Sequence, residues 1–160
     1  MGKLTYLVIH CTASPENMEV SSKLLRQWHT SPPPQGRGWK QVGYSDMIHL
    51  NGNVENLVPY NNDNIIEGWE ITNGVEEMNG ICRHIVYVGG MDTDNKRPKD
   101  TRTKEQLTAL RNYCIQTIAQ HPDILIAGHY QFNSGKACPS FIVPPWLKAI
   151  GIPDKNIYQK

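Results

Sequence analysis

Three short runs of apolar, β-forming residues constrain the fold of this chain more than any other feature: LTYLVI at 4–9, HIVYV at 84–88, and the run at 123–127 that includes Ile124, Leu125, Ile126 and Ala127. Runs this short and this apolar read as buried strands. Helix signals lie between them. Ser21 or Ser22 can cap a helix that carries Leu24, Leu25 and Trp28 on one face. Thr103 and Gln106 form a capping box, opening a helix with the stripe Leu107, Leu110, Cys114 and Ile118 that runs to about residue 120, before Pro122. Pro144 and Pro145 precede a short third helix containing Trp146, Leu147 and Ile150. Asn51-Gly52, between strand-like segments at 45–50 and 53–58, is a hairpin signal. Strands separated by capped helices, with one hairpin, predict an α/β fold: a central mixed sheet flanked by helices.

At 160 residues the chain reads as a single domain, 1–160, that buries roughly 70% of its unfolded surface and needs no disulfide staples. Its net charge of +1 gives no electrostatic case for binding nucleic acid or membrane. Cys11, Cys82, Cys114 and Cys138 are scattered, without a CxxC pair, as free thiols in a reducing compartment would be. No secretory signal and no apolar stretch of bilayer-spanning length is visible, so the chain is expected to be cytoplasmic as synthesised. It would then meet any extracellular target after release or by a route that reads no signal. It reads as a monomer. The segment 31–38, rich in proline, is a surface loop that either walls a groove or is inert. The segment 60–80 is polar and irregular, with Trp69 as its large apolar anchor.

Chemistry concentrates at the ends of two strand runs. His10 follows the first, and His129 follows the last at the start of GHYQFNSGKACPSF, which adds Lys136 and Cys138. If those two strands are parallel neighbours, both imidazoles emerge at the carboxyl edge of the sheet, where open α/β sheets place their sites. Cys138 can return to that edge on a loop. Two histidines and a cysteine, with one open position, describe a catalytic zinc shell, and Lys136 is a nearby positive charge. Cys11 is adjacent to His10, so in extended chain it points to the opposite face and reads as a buried thiol. His29 reads as a cation at a helix end; His49, His84 and His121 have no convergent partner in the sequence.

Four separated motifs, in order along about residues 4–147, resemble the zinc-dependent N-acetylmuramoyl-L-alanine amidases: LVIHCTAS, RQWH with the later VGYSDMIHLNGNVE, HIVYVGGMD, and GKACPSF. That family includes amidase-type bacteriophage lysozymes and the peptidoglycan recognition proteins. The resemblance implies zinc as cofactor, His10, His129 and Cys138 as its ligands, and hydrolysis of the amide joining N-acetylmuramic acid to L-alanine of the peptidoglycan stem peptide. It further implies that Tyr44 stands beside the attacking water and that Lys136 supplies positive charge at the oxyanion. The chain departs from the pattern in three places. Gly128-His129-Tyr130-Gln131 stands where many relatives carry GHRD, the interval from His129 to Cys138 is one residue longer than in the phage lysozyme type, and a histidine usual before the HIVYVGG-type strand has no clear counterpart. These departures concern substrate contacts more than the zinc shell. A recognition module that binds muropeptides without cutting them is the alternative; its members typically lose the cysteine ligand, and this chain keeps Cys138. A structural zinc or redox-thiol protein would leave Tyr44 and Lys136 without purpose.

Overall fold

The computed structural model describes residues 2–160, and its chain order is mixed α/β. The strands are β1 (Gly2–Lys3), β2 (Tyr6–Cys11), β3 (Ser14–Pro15), β4 (Asp46–Ile48), β5 (Val54–Asn56), β6 (Ile65–Ile66), β7 (Cys82–Tyr87), β8 (Gly90–Met91) and β9 (Leu125–Gly128); the helices are α1 (Ser22–Thr30), α2 (Lys104–Gln120) and α3 (Val143–Ala149). The central sheet has the order β5-β4-β7-β2-β9. β4, β7, β2 and β9 are parallel, and β5 returns antiparallel at the edge through the Asn51-Gly52 turn, where Gly52 adopts φ +87°. No helix among the described residues is long and apolar enough to cross a membrane.

Two of the three apolar runs, β2 and β7, are inner strands and the third, β9, closes one edge of the sheet; all three are largely buried, the usual condition of parallel strands covered on both faces. Leu7, Ile9 and Cys11 of β2 and Ile85 and Tyr87 of β7 face one cluster, closed by Leu110 and Cys114 of α2 and Val143 and Leu147 of α3. The opposite side packs Met47, Val86 and Val88 under Leu25 of α1. Val8 and Cys82 make a smaller group there with Val75. The period of two therefore sends Cys11 into the α2/α3 core and leaves His10 on the other side of the sheet.

The expected caps are present. Ser21 Oγ accepts the Leu24 N–H at 3.1 Å, and Thr103 and Gln106 exchange reciprocal capping bonds. The α2 stripe is rotated from its expected position. Leu107 is exposed and Gln106 is buried, because the Gln106 amide donates to the Ile48 and Val88 carbonyls at the sheet edge. Trp69 does not anchor its segment either: it is 53% exposed, with its indole N–H on Glu67. That segment is held instead by buried Ile66, whose strand pairs with β1, and by buried Glu70, which accepts the Asn61 and Glu67 N–H groups.

Candidate metal centre and cleft

β2 and β9 are parallel neighbours, with Ile9 opposite Gly128. His10, at the carboxyl end of β2, and His129, in the 3-10 turn that directly follows β9, are consequently side by side, with ring centroids 4.8 Å apart. Cys138 comes back over the same edge on the 133–141 loop. Its backbone carbonyl accepts the Tyr130 N–H at 2.9 Å, and Tyr87 Oη and Ser140 Oγ tie the residues just beyond it to the sheet end. The Cys11 N–H donates to Cys138 Sγ at 3.2 Å.

The donor atoms of His10, His129 and Cys138 all lie within 4.8 Å of one another, and Cys138 Sγ is 3.7 Å from His10 Nδ1. Zn–N bonds near 2.0–2.1 Å and Zn–S bonds near 2.3 Å place tetrahedral donors about 3.3–3.7 Å apart. The set therefore fits a zinc ion with little adjustment. Among the described residues these three make up the group, so a tetrahedral ion held by them would have a fourth position for another ligand. His10 is fully buried, and burial together with its neighbouring histidines holds its imidazole well below the ordinary histidine range. Burial, with the positive charges of Lys136 and Arg37, lowers His129 to about 4. Both rings are thus uncharged at neutral pH, each keeping one N–H and one nitrogen with a free lone pair. Burial pushes the Cys138 thiol above its ordinary range, so the thiolate depends on a cation for stabilisation.

His129 is also part of the wall of an open cleft of about 500 Å³, together with Tyr44, His29, Arg37, Trp39 and Lys136. Tyr44, expected beside the attacking water, has its ring 4.9 Å from that of His10 and 5.2 Å from that of His29. Burial raises its hydroxyl pKa, so it stays protonated. The Pro-rich loop does form a wall. Gly38 donates its N–H to the Ser31 carbonyl at 2.8 Å and Trp39 donates to that of His29 at 3.0 Å, which folds the loop back on the α1 terminus and brings Arg37 to the cleft over the Trp39 ring.

Two histidines were not recognisable as part of this region from sequence. His29 is not a helix-end cation: its Nδ1 accepts the Gly43 N–H at 2.9 Å, and burial lowers it to about 4. His84, in the middle of β7, has no exposed surface, and its Nδ1 lies 2.9 Å from His10 Nε2. The GHYQ departure also has a structural account. The Tyr130 hydroxyl accepts the Val143 N–H at the start of α3, and the Gln131 side chain accepts the Gly128 N–H while donating to the Tyr158 carbonyl.

Fold and site together define an α/β domain with a His/His/Cys donor cluster at the carboxyl edge of its sheet, opening on a polar cleft. The chain belongs to the N-acetylmuramoyl-L-alanine amidase family, which its residues 1–141 match. It is 31% identical over 140 residues to the endolysin of Enterobacteria phage K11, covering 88% of this chain and 83% of that protein. In fold it is similar to the Ph2119 endolysin from a Thermus scotoductus bacteriophage, with TM-score 0.69 and 21% identity over 94% of this chain and 86% of that one. It is likewise similar to Drosophila PGRP-LB, with TM-score 0.65 and 20% identity over 95% and 84% of the two chains.

Proposed function

We propose that this chain is a zinc-dependent peptidoglycan amidase of endolysin type, hydrolysing the amide between N-acetylmuramic acid and the L-alanine of the stem peptide. The observation that carries the zinc reading is the convergence of His10, His129 and Cys138 donors within 4.8 Å beside an open cleft. A bound zinc ion would polarise the scissile carbonyl and lower the pKa of water at its open position towards about 7. His10 and His129 offer neutral nitrogens and Cys138 a sulfur to hold it. Tyr44, kept protonated by burial, acts as a hydrogen-bond donor that orients the attacking water or the carbonyl. Lys136, exposed on the cleft wall, brings an ammonium to the oxyanion that develops at the carbonyl. All five residues come from one chain, so a monomer suffices.

Muropeptide binding without cleavage is the competing reading, and the complete donor set, Cys138 included, favours cleavage. Mass spectrometry of defined muropeptides incubated with zinc-loaded and chelated protein separates the two. Metal-dependent release of free stem peptide and intact muramyl glycan is expected. A folded, zinc-loaded chain that binds muropeptide and releases nothing would put the recognition module in its place.

A further inference from the structure

We propose that Asn79 and His84 are positioning residues that set the tautomer of His10, forcing its proton onto Nε2 and baring Nδ1 towards Cys138. The inference rests on the metal reading of His10, and it concerns a pair that the resemblance did not assign.

Hydrogen-bond polarity runs in one direction only. Asn79 Oδ1 accepts the Val75 N–H at 2.9 Å, and a backbone N–H can only donate, so the orientation of that carboxamide is fixed. The same oxygen is 3.0 Å from His84 Nε2, which must therefore carry a proton. His84 has no exposed surface and no carboxylate against its ring, so it is uncharged and its Nδ1 is a bare acceptor. That acceptor is 2.9 Å from His10 Nε2, which must be the protonated nitrogen of His10. The remaining atom, His10 Nδ1, is 3.7 Å from Cys138 Sγ and holds a free lone pair. The opposite tautomers would set a bare His84 Nε2, on a ring with no exposed surface, against the Asn79 oxygen. An imidazole that ligates a metal generally donates its other N–H to a partner that fixes ring and tautomer; here a histidine takes the place of the usual carboxylate or carbonyl. The bland alternative is a histidine pair that merely fills the space under the cleft. It would not dictate which nitrogen of His10 carries the proton, nor couple His84 to metal affinity.

Two measurements on the full chain test this. Long-range nitrogen–proton correlation spectra of the metal-free protein, with histidine labelled in nitrogen-15, are expected to report Nε2–H tautomers for both His10 and His84. Zinc affinity, read by competition with a chromogenic chelator, is expected to fall about 10–100-fold in His84→Phe and to recover most of that loss in His84→Asn, whose Oδ1 restores an acceptor near the Nδ1 position. An Nδ1–H tautomer at either residue overturns the proposal, as does a folded His84→Phe protein with wild-type affinity. The spectra decide the question even if that variant fails to fold. Failure of the wild-type chain to bind zinc would remove the metal reading, while the tautomers would still decide the relay.

Discussion

Gly74→Ala perturbs the centre without touching a donor. The Gly74 backbone lies flat against the His84 imidazole: a β-carbon placed on it would sit 2.5 Å from ring Cγ and Nδ1 and 2.7 Å from Cε1. Ordinary contact begins near 3.4 Å, so ring or loop must move by about 1 Å. If the ring retreats, the 2.9 Å bond to His10 is stretched out of hydrogen-bonding range; if the loop lifts, the 3.0 Å bond from His84 to Asn79 is lost. Either route leaves a buried imidazole nitrogen without its partner, which costs about 1–3 kcal/mol, and overpacking adds a penalty of similar size. Urea unfolding of metal-free protein is therefore expected to show a loss on the order of 2 kcal/mol or more, with zinc affinity falling at least about tenfold. Cleavage should decline in proportion to zinc occupancy and recover at saturating metal. Unchanged stability and unchanged zinc affinity together would show that the 74–79 loop has slack, and would refute the claim that His84 is clamped between Gly74 and His10.

Three further outcomes are expected. Cys138→Ser should lower zinc content and muropeptide cleavage together, read by metal analysis beside product release; full activity in a metal-poor variant would remove Cys138 from the donor set. Lys136→Ala should keep its zinc and lower kcat by about 10²–10³ with a smaller change in KM, as loss of one oxyanion-stabilising group does; an unchanged kcat would end that role. Metal-free stability should fall as pH drops from about 6.5 towards about 4, because burial lowers His84 to about 3 and His29 and His129 to about 4. In that window the unfolded chain, with histidines near pKa 6.5, binds protons that the fold refuses, each contributing a slope of up to about 1.4 kcal/mol per pH unit. Urea midpoints that stay flat over this range would contradict the buried, neutral state of these rings.

The clustering of His10, His129 and Cys138 is legible in the sequence because each has a local signal. His10 and His129 end apolar runs, and in parallel strands such ends share one edge. Cys11 could be separated from Cys138 by strand alternation alone. His84 carries no such signal. It sits inside an apolar strand like any core residue, and its partner is 74 residues away, so only the β2–β7 register reveals it. His29 departs from a helix-end cation because the N–H that fixes its ring belongs to Gly43, on a loop whose path the sequence does not specify. The burial of Gln106 carries no sequence signal for a related reason: its hydrophobicity is low, but two sheet-edge carbonyls satisfy its amide.

Register also explains why the polar relay does not compete with the His10/His129/Cys138 cluster. His10 pairs with Val86 and Val8 pairs with His84, so His84 lies two residues from the level of His10, about 6.6 Å towards the amino edge of the sheet. Cys138 lies the other way, since its sulfur takes the N–H of Cys11, one residue beyond His10. The imidazole of His10 is thus placed between an acceptor below and a thiol above, and each ring nitrogen has one partner. A slip of β7 by one residue would turn His84 to the α2/α3 core and leave His10 Nε2 buried and alone. The apolar alternation of β2 and β7 that keeps Ile9, Cys11, Ile85 and Tyr87 in that core excludes such a slip. The same pattern that builds the sheet therefore fixes which nitrogen of His10 is free for a metal.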